Sequence, residues 1–277
     1  MEAHLTWHHY DAETPDAPTA LLLHGFMGCG SDWQPIAKGL SPVCRCLCPD
    51  LPGHGVLRQD EVNAAAGMPE IAEAIVAELD ARGVKRCGLV GYSMGGRLAL
   101  YLAVRHPRRF SCLALVSASP GLRTLEERRQ RQAQDDALSE RFASMREGSP
   151  EFEAFLREWY GQPLFSTLSA RPALLDGLVR RRLANHPPSL AVVLRSVGVA
   201  SQPSLWDELP RIELPTLLIT GAGDEKYRRI CSAMGALMPC ATLESIVGCS
   251  HVAHIERPEV CQRVIYDFLM GALTQDA

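Results

Sequence analysis

The chain has 277 residues, of which 47% are hydrophobic and 22% are charged, and its formal net charge is −4. This length suits one large α/β domain or a domain with an insertion. The charge gives no indication of nucleic acid or a membrane surface as a partner. No apolar run approaches the roughly 18 residues of a membrane span, and the first residues lack the pattern of a signal peptide. We therefore expect a soluble cytoplasmic protein.

Six short apolar runs are typical of strands, and they alternate with segments of helical periodicity. The predicted strands lie at 19–25, 43–50, 86–92, 112–118, 216–224 and 242–250. Helical periodicity predicts helices between them, for example at 68–83 and 93–107. Strands that alternate with helices form parallel sheets covered on both faces. We therefore predict an α/β fold with a mostly parallel, doubly wound sheet.

Residues 119–200 break this alternation. They are helical in pattern, rich in Arg, Glu and Gln, and contain no convincing strand. We predict that 119–200 form a helical cap inserted into an α/β core made of 1–118 and 201–277. Twelve of the 25 arginines lie between residues 120 and 200, which contain no lysine. Arginine suits planar, bidentate contact with carboxylates, although a solvated helix face is the favoured explanation for any single arginine.

The ten cysteines are scattered, without C-x-x-C spacing, as expected for a reducing cytoplasm. Cys44, Cys46 and Cys48 alternate and would share one face of a strand. A metal site is one interpretation of this pattern. Small buried apolar residues are the more common role of such cysteines, so we expect neither a metal nor a cofactor.

A serine motif follows the predicted strand at 86–92. The segment Gly91-Tyr92-Ser93-Met94-Gly95 matches G-x-S-x-G and leads into a predicted helix. Glycines are needed in such a turn because side chains would collide there, and the turn lifts the serine hydroxyl above the edge of the sheet. A serine hydroxyl is reactive only when a histidine takes its proton and a carboxylate holds that histidine. Ser93 is therefore the candidate catalytic serine.

The partners of such a serine follow it in the order Asp or Glu, then His. Asp224, just past a predicted strand end, is the predicted carboxylate, with Asp207 and Asp50 as competitors. His251 comes first out of the last predicted strand and is the predicted base. His254 is its rival, with a role in the pocket wall or the structure as the favoured alternative.

An oxyanion hole requires two N–H donors next to the serine. The Met94 N–H is the first predicted donor because Met94 follows Ser93 directly. The second is predicted at Phe26, in the turn "HGFMG" after the first predicted strand. His24 and Gly25 shape that turn, and we expect His24 to be structural instead of a catalytic base.

Several of these segments resemble the α/β-hydrolase superfamily over nearly the whole chain: "LLLHGFMG", "DLPGHG", "GYSMGG", "GAGDEKY" and "GCSHVAHIERP". Membership of this superfamily does not fix the reaction. Further segments, among them "SASPGLRTLEERRQRQAQDD", "REWYGQPLF" and "SVGVASQPSLWDEL", are similar to the 2-succinyl-6-hydroxy-2,4-cyclohexadiene-1-carboxylate (SHCHC) synthases of menaquinone biosynthesis. This resemblance implies an α/β-hydrolase fold and a lyase that eliminates pyruvate from a small substrate with three carboxylates.

The resemblance also implies the residues of the site. The triad would be Ser93, Asp224 and His251, and the anion and pocket contacts would be Tyr92, Arg97, Arg131, Trp159, Tyr160, Arg182 and Lys226. Arg180 is the alternative to Arg182, because the spacing there differs slightly from that of the family. The structural alternatives are that Arg131 is an exposed arginine and that Trp159 and Tyr160 are packing residues. A serine hydrolase of small anionic esters or vinylogous C–C bonds, with the same triad, is the alternative function.

Overall fold

Seven strands form one sheet in the computed structural model, which describes residues 5–55 and 66–273. The strands are β1 Thr6–Tyr10, β2 Thr19–Leu23, β3 Arg45–Asp50, β4 Cys87–Tyr92, β5 Phe110–Val116, β6 Thr216–Gly221 and β7 Ala241–Ile246. Their spatial order is β1-β3-β2-β4-β5-β6-β7. All neighbouring strands are parallel except β1 and β3. The carboxyl ends of the six parallel strands therefore meet at one edge of the sheet.

Ten α-helices are present in the described residues. They are α1 Gln34–Gly39, α2 Met68–Ala81, α3 Met94–Arg105, α4 Leu125–Ala143, α5 Pro150–Tyr160, α6 Pro172–Arg182, α7 Pro187–Val197, α8 Glu225–Gly235, α9 Ala253–Glu256 and α10 Pro258–Leu273. Among the described helices, none is both long enough and apolar enough to cross a membrane.

The sheet separates two apolar cores, because successive side chains of a strand point to opposite faces. In β2, Ala20 and Leu22 join the core that includes residues of α1 and α10, whereas Leu21 and Leu23 join the core that includes residues of α2, α3 and α8. This arrangement confirms the predicted α/β fold with a mostly parallel, doubly wound sheet.

The six predicted strands are all present, with ends that differ from the prediction by a few residues. Strand β1 was missed. It is an antiparallel edge strand in which Thr6 lies opposite Asp50 and Tyr10 lies opposite Cys46. Its sequence, TWHHY, is only partly buried. An edge strand of this kind lacks the continuous apolar run by which the buried strands were recognised.

Residues 119–200, which we call the cap segment, contain α4 to α7 and no strand, and every residue of the segment is described. Its aromatic side chains continue the apolar core on the α1 and α10 side of the sheet. Phe142, for example, packs with ring centroids 4.7 Å from Phe155 and 5.8 Å from Phe26 of the core. The helical content agrees with the prediction, while the division at residues 118 and 200 into two units stays a prediction.

Candidate active site

Ser93 lies in a strained turn between β4 and α3, with a φ of 49° in the left-handed region. The turn can be this tight only because glycines flank the serine. A Cβ added to Gly95 would lie 2.3 Å from the Leu23 carbonyl oxygen, and a Cβ added to Gly91 would lie 2.5 Å from the Gly95 carbonyl oxygen. The turn therefore holds the Ser93 hydroxyl at the carboxyl edge of the sheet.

Ser93, His251 and Asp224 form one hydrogen-bonded chain. The His251 Nδ1 lies 2.7 Å from an Asp224 carboxylate oxygen, and its Nε2 lies 3.0 Å from the Ser93 Oγ. Because an ionised carboxylate only accepts hydrogen bonds, Nδ1 carries the proton and Nε2 is free to accept the Ser93 proton. The other Asp224 oxygen caps α8 by accepting the Tyr227 N–H at 3.1 Å. The aspartate and the histidine are both buried.

The competing carboxylates and the rival histidine lie elsewhere. Asp50 accepts the Gly30 N–H at 2.7 Å and contacts His8, and Asp207 is exposed. His254 is buried behind the cavity, where its ring centroid lies 4.1 Å from that of Tyr92. The structure therefore brings together the three predicted residues and none of their competitors.

Three further histidines near the site are buried and neutral. His24 accepts the Leu51 N–H at 2.9 Å and pairs with the Gly25 carbonyl oxygen at 2.8 Å, so neither ring nitrogen is available to a substrate. Burial lowers the pKa of His24 to about 4, and it lowers the pKa values of His54 and His254 to about 3. These side chains are structural, as expected for His24.

Phe26 and Met94, whose N–H groups are the predicted oxyanion donors, line the same cavity as Ser93. Phe26 lies in the turn after β2, and Met94 is the first residue of α3. In the described turns and loops, neither backbone N–H donates to a carbonyl oxygen. Met27, the neighbour of Phe26, has a φ of 61°, so the turn is held in a conformation that non-glycine residues rarely adopt. The role of both N–H groups as an oxyanion hole stays a prediction.

A cavity of about 380 Å³ lies between the carboxyl edge of the sheet and the cap segment. Every predicted site residue except Asp224 lines it, and Asp224 lies behind His251. A volume of this size fits a small molecule. Its walls combine the serine–histidine pair with aromatic rings and four basic side chains.

Arg97 is a buried cation in the cavity wall, with 6% of its surface exposed. One terminal nitrogen donates to the Val197 carbonyl oxygen at 2.9 Å and to the Gln202 Oε1 at 3.2 Å. No carboxylate among the described residues forms an ion pair with it. Burial lowers the pKa of Arg97 to about 10, so the guanidinium remains charged at neutral pH. An unpaired buried charge is costly unless a ligand neutralises it.

Arg131 and Lys226 lie on the same side of the cavity as Arg97. The Arg131 Nε donates to the buried Asp135 carboxylate at 2.8 Å, and its two terminal nitrogens make no hydrogen bond within the described part of the chain. Lys226 is exposed at the mouth, where partial burial and the charge of Arg131 lower its pKa. Asp135 is the one carboxylate among the described lining residues, so this side of the cavity has an excess of positive charge.

Arg182 faces the cavity, and its alternative Arg180 is exposed. The guanidinium of Arg182 is already occupied, however. Its terminal nitrogens donate to the two carboxylate oxygens of Asp32 at 3.1 and 2.6 Å, and its Nε donates to the Tyr160 hydroxyl at 3.3 Å. The prediction chose the arginine that reaches the cavity. The predicted contact of Arg182 with the substrate stays a prediction.

Aromatic side chains complete the walls. The half-buried Trp159 packs 6.0 Å from Phe26 by ring centroids, and the Tyr92 centroid lies 5.4 Å from that of His251. The sequence analysis missed Tyr227, whose ring centroid lies 4.5 Å from that of His251. The capping position of Tyr227, three residues after Asp224, was the signal that could have revealed it. It also missed Phe165, with a centroid 5.7 Å from that of His251.

The three alternating cysteines lie far from this chemistry, in and beside β3. Cys44, Cys46 and Cys48 are all fully buried, and the sulfur atoms of Cys44 and Cys46 are 3.9 Å apart. Burial raises the pKa of the Cys48 thiol. Among residues 5–55 and 66–273, no group of three or more His, Cys, Asp or Glu side chains could hold a metal ion.

Comparisons with known proteins agree with this fold. The family model described as the alpha/beta hydrolase family matches residues 20–263. The chain is 36% identical to a Bacillus subtilis (strain 168) protein provisionally named 2-succinyl-6-hydroxy-2,4-cyclohexadiene-1-carboxylate synthase. The match covers 93% of this chain and 92% of that protein. It is 33% identical to the Serratia proteamaculans (strain 568) synthase of the same name, over 92% of this chain and 94% of that one.

A solved structure, that of MenH from S. aureus, is also similar to this chain. It superposes with a TM-score of 0.89 at 29% identity, covering 96% of this chain and 98% of that one. Sequence and structure thus agree over almost the full length of both relatives and of the chain. The chain belongs to the alpha/beta hydrolase family and, within it, to the group of relatives named SHCHC synthase or MenH.

Proposed function

We propose that this protein is an SHCHC synthase of menaquinone biosynthesis. Its reaction would eliminate pyruvate from 2-succinyl-5-enolpyruvyl-6-hydroxy-3-cyclohexene-1-carboxylate. The names of the relatives support a role in this pathway. The observation that carries the proposal to this chain is the buried, unpaired guanidinium of Arg97 in the same cavity as the hydrogen-bonded Ser93 and His251. A cation at that place suits a substrate with carboxylates close to its reacting carbon.

The serine and the histidine act together as the base in this reaction. The ring proton at carbon 2 is acidic because it is allylic and lies next to the succinyl carbonyl. As the Ser93 Oγ takes that proton, it passes its own proton to the His251 Nε2, which lies 3.0 Å away. Asp224, 2.7 Å from Nδ1, stabilises the resulting imidazolium.

The electrons of the broken C–H bond complete the elimination. The ring double bond between carbons 3 and 4 is replaced by bonds between carbons 2 and 3 and between carbons 4 and 5. The bond from carbon 5 to the enolpyruvyl oxygen breaks. Negative charge develops on the succinyl carbonyl oxygen, where the Phe26 and Met94 N–H groups would stabilise it. The departing pyruvate enolate takes the proton from His251, so no water is consumed and no acyl-enzyme forms.

The positive side of the cavity would hold the substrate carboxylates. Arg97 has a planar fork with no carboxylate partner among the described residues, and Arg131 keeps two free terminal nitrogens. Lys226 at the mouth would add a third charge that attracts the trianion. Tyr92, Trp159 and Tyr160 would pack against the ring of the substrate. Residues of the core and residues of the cap segment, as a separate unit above the core, would thus select the substrate together.

The proposed compartment is the cytoplasm. All ten cysteines of the chain are free thiols, including the exposed Cys240. Thiols persist in a reducing compartment, and burial raises the pKa values of several of them, such as Cys87 and Cys231, to about 12. No cofactor is needed for the proposed elimination.

A turnover assay tests the proposal. The purified protein would be incubated with the enolpyruvyl substrate while pyruvate is measured by coupling to lactate dehydrogenase, and the conjugated diene is followed in the ultraviolet. We expect both signals to rise together in equal amounts. Ser93→Ala, which removes the proton carrier and keeps the cavity, is the matched control. Absence of pyruvate release by the wild-type protein above the rate of this control would contradict the proposal.

A serine hydrolase is the second candidate function. The observation in its favour is the same 3.0 Å contact between Ser93 Oγ and His251 Nε2, which equally suits attack of the serine on a carbonyl carbon. Small anionic esters and vinylogous C–C bonds would be its substrates. Release of an acid from such an ester, faster than pyruvate release from the enolpyruvyl substrate, would favour it.

A further inference from the structure

The turn that carries Phe26 is tied to the cap segment by an ion pair. Arg182, at the end of α6, contacts both carboxylate oxygens of Asp32, which lies in the 3-10 turn Gly30–Trp33 after β2. Both side chains are nearly inaccessible, with 5% and 2% of their surfaces exposed. Bidentate, charge-assisted contacts of this kind fix geometry as well as adding energy.

Each member of the pair keeps its partner charged. Burial acts to raise the pKa of Asp32, but Arg182 overcomes this and holds the pKa of the carboxyl below its usual value. Burial likewise acts to lower the pKa of Arg182, and Asp32 holds it above the ordinary value. An anion that bound the fork of Arg182 would have to displace a buried carboxylate. Arg182 therefore differs from Arg97, which has no carboxylate partner within the described residues.

A second tie joins the same end of α6 to the same turn. The Asn185 Nδ2 donates to the Met27 carbonyl oxygen at 3.0 Å, and Met27 follows Phe26 directly. Asn185 is buried. Because Met27 is held at a φ of 61°, an anchor on its carbonyl group opposes relaxation of the peptide next to the Phe26 N–H.

A short, closely packed turn connects Asp32 to Phe26. The Cys29 N–H donates to the Asp32 carboxylate at 3.2 Å, and the Gly28 N–H donates to the Gly25 carbonyl oxygen at 2.9 Å. A Cβ added to Gly28 would lie 2.9 Å from an Asp32 carboxylate oxygen. The Asp32 carboxylate therefore packs closely against the backbone of the turn.

We propose that Arg182, Asp32 and Asn185 are positioning residues that hold the oxyanion turn, residues 25–32, in place from the cap segment. This role rests on one part of the proposed function, namely that the Phe26 N–H stabilises a developing oxyanion. Arg182 acts through Asp32 on the geometry of that donor. The cap segment thereby takes part in the chemical step as well as in substrate binding.

A double-mutant cycle separates this role from an anion contact. Asp32→Asn and Arg182→Gln should each lower kcat by roughly 10- to 100-fold, with a much smaller change in KM, because a small displacement of an oxyanion donor has effects of this size. The double variant should be no worse than the more damaging single variant, because the two residues act as one unit. A raised KM in Arg182→Gln together with unchanged or improved kinetics in Asp32→Asn would overturn the proposal.

Phenylboronic acid provides a probe without a carboxylate. Addition of the Ser93 Oγ to boron places a boron-bound oxygen in the oxyanion hole, so its affinity reports on that hole alone. Measured by tryptophan fluorescence, its Kd should rise about tenfold in Asp32→Asn and in Asn185→Ala, as expected for a displaced donor. An unchanged Kd in both variants would overturn the proposal, as would wild-type binding no tighter than that of Ser93→Ala.

The controls address folding and the proposed reaction. Asp32→Asn leaves Arg182 unpaired, which can cost enough stability to unfold the protein. Asn185→Ala and the double variant Asp32→Asn/Arg182→Gln leave no unpaired buried charge. They therefore test the proposal if Asp32→Asn does not fold. Asp176→Asn breaks the exposed pair between Asp176 and Arg157, which also joins helices of the cap segment, and it should change neither kcat nor boronate affinity. A wild-type protein that binds the boronate but releases no pyruvate contradicts the proposed function and leaves the boronate test intact.

Discussion

The two sides of the cavity are built in different ways. The core side is positioned mostly by the backbone: Ser93 by a turn that only glycines permit, and Asp224 by the cap of α8. The cap side is positioned by side-chain contacts, such as Arg131 on Asp135 and Arg182 on Asp32. The core side holds the groups that move a proton together with Arg97 and Lys226, whereas both cations that the cap side adds to the cavity wall are paired with a carboxylate. The difference shows that the backbone fixes the groups of the triad, whereas ion pairs fix the cations of the cap segment.

The largest effect should come from breaking the core side at the triad. Ser93→Ala, His251→Ala and Asp224→Asn should each lower kcat by roughly a thousand- to ten-thousand-fold, because they belong to one proton-transfer unit. The double variant Ser93→Ala/His251→Ala should be little worse than either single change. His254→Ala is the matched control, and steady-state kinetics that show it to be more damaging than His251→Ala would contradict the assignment.

A smaller loss is expected when the charge on the cap-facing side of α3 is removed. Arg97→Ala should lower kcat/KM by about 2–4 kcal/mol, because a charge-assisted contact is lost and a substrate carboxylate is left desolvated. Arg97→Lys should recover little of this, since it keeps the charge without the planar fork. Arg195→Ala removes an exposed arginine of α7 and should leave kcat/KM unchanged. Equal kinetics for Arg97→Ala and Arg195→Ala would refute the role of Arg97.

Two glycine substitutions compare the tolerance of the two regions. Gly95→Ala should lower the free energy of unfolding by about 1–3 kcal/mol or more, because the new Cβ would lie 2.3 Å from a backbone oxygen. Gly177→Ala, within α6, meets no atom closer than 3.8 Å and should raise it by about 0.5–1 kcal/mol through helix propensity. Urea denaturation measures both. A Gly95→Ala protein as stable as the wild type would show that the elbow is less crowded than described.

The smallest effect concerns the response to acid. Burial lowers the pKa of His254 to about 3 in the folded protein, whereas the pKa of histidine in an unfolded chain is about 6.5. Between these two pH values the unfolded chain binds a proton at His254 and the folded protein does not. Stability therefore falls as the pH drops below 6.5. His254→Phe should reduce this loss by about 1 kcal/mol between pH 6.5 and 5.5. Denaturation midpoints at the two pH values test this, and an unchanged pH dependence would contradict a neutral buried His254.

Much of the core side could be predicted from the sequence, because its geometry follows from local rules. The glycines around Ser93 and the order of Asp224 and His251 carry information within a few residues. Strand β1 could not be predicted in this way, since its sequence, TWHHY, contains no apolar run. Its pairing with β3 is decided by contacts more than 30 residues apart along the chain.

The cap segment was harder to predict for a physical reason. Helical periodicity shows that residues 125–197 form helices, but it does not show which arginine is paired and which is free. Arg182 and Arg97 look alike in sequence, yet Asp32 neutralises the first from a position 150 residues away. The capping position of Tyr227 after Asp224 was a local signal that this residue lies near the triad, but it does not show that the ring turns towards His251.

The origin of the product oxygen atoms tests the central claim most directly. An elimination breaks one C–H and one C–O bond without water, whereas a hydrolase forms an acyl group on Ser93 that water then releases. The enolpyruvyl substrate would be turned over in ¹⁸O-water, and the cyclohexadiene product analysed by mass spectrometry. We expect pyruvate release with no solvent oxygen in the carboxylates of the cyclohexadiene. Solvent ¹⁸O in a new carboxylate, or an acyl group trapped on Ser93 during turnover, would contradict the elimination.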